Sequence, residues 1–316
     1  KVYLPLPRDL GASKEDIKNK DIREAIPAYP LGLCHKIVTN SPLSSALIHQ
    51  PQDTQARDMV VEYPSEGAFI HHRHFKRYLE GEQNQLQLHR LKKFVESEPK
   101  IGIARNAETM ATEEGHLYRI NMLRLKIGDK TEEGFSLLVE AQGIEFTNSQ
   151  GVSKLGGENK LFSYKISEER GILEYDEDEK QELITGIRKA DNTFKLYFAM
   201  PTIWESSTAI EKTGWRAAWM NLGGEQQSFI DQVTGKTLTC QLLTAAVGNY
   251  QNVGGWEIVY HRPKRMYRAV PAGSVYYLKL VSGQPEDVIE LFHNKNLSDC
   301  RAQEGFGLAY VGAVSC

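Results

Sequence analysis

Thr193-Phe194-Lys195-Leu196-Tyr197-Phe198-Ala199-Met200, halted by Pro201, packs aromatic and aliphatic side chains almost without interruption, the pattern of a strand held inside a sheet. Working outward, strands are predicted over Thr237–Ala246, Trp256–Tyr260, Ser274–Leu280 and Leu308–Gly312. A helix is predicted over Pro285–His293, between the last two. Strand, helix, strand at this spacing, beside antiparallel partners, resembles half of a βαββαβ unit.

Upstream the signals are more mixed. An acidic segment leads into a helix around Asp178–Arg188, and a strand at Leu161–Ile166 follows a pair of glycines. Partial period-two alternation over Leu117–Ile127 and an apolar run over Phe135–Ala141, with Gly128, Asp129 and Gly134 between them, predict a β-hairpin. Short helices are expected at Phe69–Tyr78 and Leu86–Phe94. Residues 11–60, with several prolines and a charged helical stretch from Ser13 to Ile26, read as an irregular surface insertion.

With 316 residues and 41% apolar content the chain is long enough for two packed domains. No signal-peptide pattern or run of membrane-spanning length is visible, so a cytoplasmic protein without a membrane partner is expected. Cys34, Cys240, Cys300 and Cys316 are scattered, with no spacing suited to zinc, and are expected to be reduced structural thiols. No cofactor fingerprint is present. The net charge of −3 excludes bulk attraction to phosphate as an argument, so the distribution of charge has to carry it. Acidic residues accumulate from Glu168 to Glu182, whereas His261-Arg262-Pro263-Lys264-Arg265-Met266-Tyr267-Arg268 sets four fixed positive charges beside a tyrosine.

Three segments carry binding chemistry. In Leu155-Gly156-Gly157-Glu158-Asn159-Lys160, Gly156 and Gly157 let backbone amides approach an anion and Lys160 adds a charge; a tight turn is the alternative. In Gln303-Glu304-Gly305-Phe306-Gly307-Leu308, freed amides and an aromatic ring suit a phosphodiester and a stacked base; a β-bulge is the alternative. Arg262, Lys264, Arg265 and Arg268 would neutralise successive phosphates, with Tyr267 as a stacking platform; a solvated face or a contact with an acidic protein is the alternative. His71, His72 and His74 invite a metal or general-base reading, but no carboxylate or cysteine stands at ligand spacing and Arg73, Lys76 and Arg77 would repel a cation.

Taken together, the segments resemble the RAMP superfamily of CRISPR proteins, and within it the third subunit of the type III-B Cmr effector complex. The resemblance runs through Leu4-Pro5-Leu6-Pro7-Arg8-Asp9-Leu10, Tyr78-Leu79-Glu80-Gly81, Glu98-Pro99-Lys100-Ile101-Gly102-Ile103 and Glu114-Gly115-His116-Leu117-Tyr118. It continues in Leu155-Gly156-Gly157-Glu158, Val270-Pro271-Ala272-Gly273-Ser274-Val275-Tyr276 and Gly305-Phe306-Gly307, in family order. Lys100 stands where the family has arginine.

The resemblance implies an α+β protein of two ferredoxin-like (RRM-like) domains with antiparallel sheets, residues 1–192 and 193–316. The first is expected to be incomplete at its N-terminus, because the family's first strand and helix precede the Leu4–Leu10 motif, and to carry a helical insertion. It also implies a subunit, not an enzyme, that binds the repeat-derived 5′ tag of the guide RNA. Its partners would be the large polymerase-like subunit, the backbone RAMP subunits and, indirectly, the target RNA. RNA contacts are expected from Gly156, Gly157, Lys160, Arg262, Lys264, Arg265, Arg268, Gly273, Ser274, Gly305, Phe306 and Gly307. The rival is a guide-processing endoribonuclease that uses His71, His72, His74 or His116 as general acid or base.

Overall fold

The computed structural model describes residues 1–14, 17, 26–30, 47–49, 61–63, 67–82, 86–105, 108–109, 111–128, 134–155, 160–167, 173–205, 213–223 and 226–314. They form a mixed α+β protein of mostly antiparallel sheets, divided into two compact units. One unit comprises Lys1–His89 with Leu173–Cys316, and the other Arg90–Ile172.

The first unit is built on a sheet whose central strand is Thr193–Phe198, buried at every position. Its neighbours are Val275–Ser282 on one side and Leu308–Ala313 on the other, both antiparallel. Thr237–Ala246 lies outside Val275–Ser282, and Lys295–Asn296 outside Leu308–Ala313. Because the central strand is covered on both faces, its apolar run is continuous rather than alternating. The other strands of this sheet are Met220–Asn221, parallel to Thr237–Ala246, and Phe229–Ile230.

Three helices of this unit are fully described. Helix α1 (His72–Leu79) buries Phe75, Tyr78 and Leu79. Helix α2 (Glu177–Lys189) begins in a reciprocal capping box between Asp176 and Glu179, has an acidic first turn and ends in Arg188 and Lys189, so its termini complement the helix dipole. Its Leu183, Ile184 and Ile187 face the core, and Gly186 lets it approach Ala313, whose methyl would lie 2.9 Å from any added Cβ. Helix α3 (Pro285–Phe292) starts with proline in its first turn, where no amide partner is lost, and buries Val288, Ile289, Leu291 and Phe292.

The N-terminal motif is tied to this core by a buried polar network. Asp9 accepts hydrogen bonds from the Tyr78 hydroxyl (2.9 and 2.7 Å) and from the Tyr277 hydroxyl (2.7 Å). Lys195 donates to the Tyr78 carbonyl at 2.5 Å and lies 3.5 Å from the centre of its ring. Burial raises the Asp9 carboxyl above its ordinary value and lowers the Lys195 ammonium to about 8, each charge partly countering the effect on the other.

Among its described residues the second unit has two ribbons. Val95–Arg105 pairs with Thr112–Leu125 over nearly its whole length, and Gln150–Leu155 pairs with Lys160–Lys165. The long ribbon is two-faced by register: Ile101, Ile103 and Leu123 fall on one side, and the Glu96–Arg124 ion pair on the other.

The structure corrects several expectations. Thr112–Leu125 pairs with Val95–Arg105, and Phe135–Ala141 forms no strand among the described residues. Ala68–His71 is a strand and the helix begins only at His72. Leu86–Phe94 is not an α-helix: Leu88–Arg90 is a strand followed by a short 3-10 turn, consistent with Leu86 and Leu88 both being buried at period two. Trp256–Tyr260 is a strand only at Trp256–Glu257, because the chain reverses at the following residues. Apart from Lys14 and Ile17, which are helical, the described parts of residues 11–60 are short strands, and Leu10–Ser13 is buried rather than superficial. Most of the charged stretch from Ser13 to Ile26 lies outside the described residues.

Candidate RNA-binding site

Four loops gather at the end of the central strand, beyond Phe198. The Phe198 carbonyl accepts from the Gly273 amide at 2.8 Å, and Thr202 bridges Val270 in both directions. The Pro201 carbonyl accepts from the Gly307 amide at 2.9 Å. Gly273 in turn receives the Arg8 amide on its carbonyl at 2.8 Å, and the Arg8 Nε donates to the Ala272 carbonyl. Gly273 is required here: its φ is +85°, and an added Cβ would stand 2.5 Å from the Leu6 carbonyl oxygen. Gly307 likewise has a φ of +78°, with the Ser298 amide 2.4 Å from where a Cβ would be.

The basic stretch forms the returning strand of a ribbon that leaves this end of the sheet. Gln251–Val253 pairs with Tyr267–Ala269, and Trp256–Glu257 with Arg262–Pro263. The turn between them is made possible by His261 in the left-handed region. Arg262, Lys264, Arg265 and Arg268 are all exposed, and none makes an ion pair with a described residue. Three of the guanidinium groups instead lie over aromatic rings: Arg262 over Tyr260 at 5.2 Å, Arg265 over Tyr267 at 5.0 Å and Arg268 over Tyr250 at 4.8 Å. Elsewhere in this unit Arg188, Lys236, Lys279 and Arg301 are each neutralised by a carboxylate.

Arg301 joins the ribbon to the glycine loop. Its guanidinium pairs with Glu304, lies 5.1 Å from the centre of the Phe306 ring and reaches the Gly254 carbonyl of the ribbon at 3.4 Å. The charges of Lys264 and Arg265 are felt at Glu304 and Cys300 respectively, which places both cations beside this loop. Gly305 has a φ of +90° with open space around it, so its conformation rather than crowding demands glycine.

The expected site residues thus divide. Arg262, Lys264, Arg265, Arg268, Gly305, Phe306 and Gly307 are brought together, and Gly273 supports them from the neighbouring loop. Ser274 is wholly buried and its hydroxyl donates to the Pro271 carbonyl at 2.7 Å, a use internal to the loop. Gly156 and Gly157 lie outside the described residues; Lys160 opens a strand of the second unit, opposite Leu155. Tyr250, Trp256, Tyr260 and Arg301 were not singled out in the sequence, although an aromatic every few residues ahead of a basic run was visible there.

His71, His72 and His74 cluster at the start of α1, with the first two rings 4.2 Å apart. Burial lowers all three, His71 to about 4, and neighbouring positive charge adds to the effect. His116 lies in the strand Thr112–Leu125. Among the described residues no group of three His, Cys, Asp or Glu side chains is placed to hold a metal ion, and no helix is long and apolar enough to cross a membrane. Cys240 is buried and its thiol is pushed up to about 12; Cys300 donates to Glu205 and is pushed up to about 11.

The described site of this mixed α+β protein is an open surface, exposed cations on an aromatic ribbon beside a glycine loop. A family model, CRISPR-associated protein (Cas_Cmr3), matches residues 1–314, and the chain belongs to that family. The motifs that carried the resemblance therefore identified it. Among solved structures, one similar chain is in a cryo-EM structure of the Type III-B Cmr-beta bound to cognate target RNA and AMPPnP, with 14% identity and a TM-score of 0.39. The match covers 72% of this chain and 61% of that one, so the chain spans less than two thirds of its length. Another is in a cryo-EM structure of the Type III-B Cmr-beta bound to cognate target RNA, with 11% identity, a TM-score of 0.37, and coverage of 87% and 85%. No curated protein matches.

Proposed function

We propose that the protein is a non-catalytic subunit of a type III CRISPR effector ribonucleoprotein that anchors the 5′ repeat-derived tag of the guide RNA. It would dock on the large polymerase-like subunit and on the backbone RAMP subunits, and meet target RNA only indirectly. Family membership supports the assembly. The observation that carries the RNA reading is the strip of unpaired cations, Arg262, Lys264, Arg265 and Arg268, joined through Arg301 to the glycine loop at Gly305–Gly307. Unpaired arginines over exposed rings suit a chain that is both anionic and aromatic, as single-stranded RNA is. Gly156, Gly157 and Lys160 would be further RNA contacts. In architecture, the order Thr237–Ala246, Val275–Ser282, Thr193–Phe198, Leu308–Ala313 supports reading residues 193–316 as a ferredoxin-like domain, and residues 1–192 would be the remainder of another.

Burial and neighbouring positive charge lower His71, His72 and His74, which disfavours the protonated imidazole of a general acid and favours the neutral form of a general base, so experiment has to separate the endoribonuclease reading from this one. The test is to incubate the purified protein with repeat RNA in a metal-free buffer. Binding without scission is expected. Site-specific cleavage that is lost in His71→Ala, His72→Ala, His74→Ala or His116→Ala would replace the proposal with its rival.

A further inference from the structure

The ribbon that carries the cations also exposes more aromatic surface than a phosphate-binding strip needs. Tyr250 is 56% exposed, Trp256 56% and Tyr260 69%, all on the outgoing half of the ribbon. Two of these rings have one face already occupied by a cation, Arg268 over Tyr250 and Arg262 over Tyr260. Among the described residues neither guanidinium has a carboxylate partner to draw it off its ring. Each of these aromatic residues still keeps more than half of its surface open to solvent.

We infer that Tyr250, Trp256 and Tyr260 are stacking platforms for unpaired nucleobases, making this ribbon a sequence-tolerant grip on single-stranded RNA. The inference rests on the RNA-binding reading above and adds to it which part of the nucleic acid each residue type takes. The cations hold the backbone, and the rings hold the bases. A ring offers a base no hydrogen-bonding pattern to read, so every base is accepted. A duplex, whose bases are already stacked on one another, is refused. The arginine beneath each tyrosine fixes the ring's orientation and adds its positive charge to the stack.

The experiment measures binding of the complete protein to a fluorescent single-stranded oligoribonucleotide, to an abasic ribose-phosphate chain of equal length and to the matching duplex. The wild type is expected to bind the single strand best. Tyr250→Leu, Trp256→Leu and Tyr260→Leu should each weaken single-strand binding roughly 5- to 150-fold, while binding of the abasic chain and the dependence on salt stay as they were. Tyr250→Phe and Tyr260→Phe keep the ring and should bind as the wild type does, which separates lost stacking from a disturbed ribbon. Equal affinity of the wild type for the natural and abasic chains, or leucine variants as tight as the wild type, would overturn the stacking inference alone. A wild type that binds neither chain would overturn the RNA-binding reading and the inference with it.

Discussion

Replacing Arg262, Lys264, Arg265 and Arg268 together by alanine should flatten the salt dependence of RNA binding by an amount fixed by their number. Each phosphate neutralised on a single strand releases counterions and contributes about 0.7 to the slope of log affinity against log salt. Four unpaired cations therefore account for a slope of about 2.8, and between 50 and 200 mM salt the wild type should lose roughly 50-fold more affinity than the quadruple variant. The prediction counts only cations that are free to act, because a charge already held by a carboxylate has little left to give. Arg188→Ala and Lys236→Ala, which remove cations paired with Glu286 and with Asp287 and Glu290, should leave the slope unchanged. Fluorescence anisotropy titrations of tag RNA over a series of potassium chloride concentrations provide the measurement. A quadruple variant with the wild-type slope, or an Arg188→Ala variant that lowers it as much, would show that the ribbon's charges do not meet phosphate.

Stability offers three further tests. Gly273→Ala should cost about 2–4 kcal/mol in urea denaturation, because a left-handed residue gains a side chain against the Leu6 carbonyl, whereas Gly305→Ala, with the same backbone region but open space, should cost only about 1 kcal/mol. Asp9→Ala strands the Tyr78 and Tyr277 hydroxyls in the core and should destabilise by about 3–5 kcal/mol, while Tyr78→Phe, which leaves the carboxylate one donor, should cost about 1–1.5 kcal/mol. His293, buried beside Tyr175 and Tyr310 and accepting the Val311 amide, is lowered from 6.5 to about 4. Between those values the unfolded chain binds the extra proton, so stability rises with pH across that window and up to about 3 kcal/mol is lost as pH falls through it. His293→Gln should flatten that dependence, and an unchanged acid transition would show the imidazole is not its source.

The parts of this protein that local chemistry specifies could be read directly. The helix Glu177–Lys189 was legible because an acidic segment leads into it, and Thr237–Ala246 because Leu238, Cys240 and Leu242 alternate with Thr237, Thr239 and Gln241. What could not be read was pairing. Thr112–Leu125 looked for a partner downstream, towards Phe135, and found it upstream in a segment whose Pro99 and Lys100 disguise a strand. Such a choice depends on register across the sheet, which no local window contains.

The same division runs through the site. Arg262, Lys264, Arg265 and Arg268 were visible as a run of charge, but that they are all unpaired is a property of their surroundings. Ser274 looked like a polar residue in a glycine loop and is spent inside it on Pro271. Arg301 could not be connected to Gly254, 47 positions earlier, without the fold that folds the ribbon back over the glycine loop. Exposed aromatics were missed for a related reason: Tyr250, Trp256 and Tyr260 are residue types that usually fill cores, and only burial distinguishes a core ring from a surface one.

The account is tested most directly by photo-crosslinking. The guide RNA, carrying 4-thiouridine at single positions within its 5′ tag, is assembled into the complete ribonucleoprotein and irradiated, and the attached peptides are identified by mass spectrometry. Crosslinks from tag positions to residues 250–268 and 301–307 are the predicted result. Tag crosslinks that fall only on other subunits, with this ribbon joined instead to protein, would contradict it.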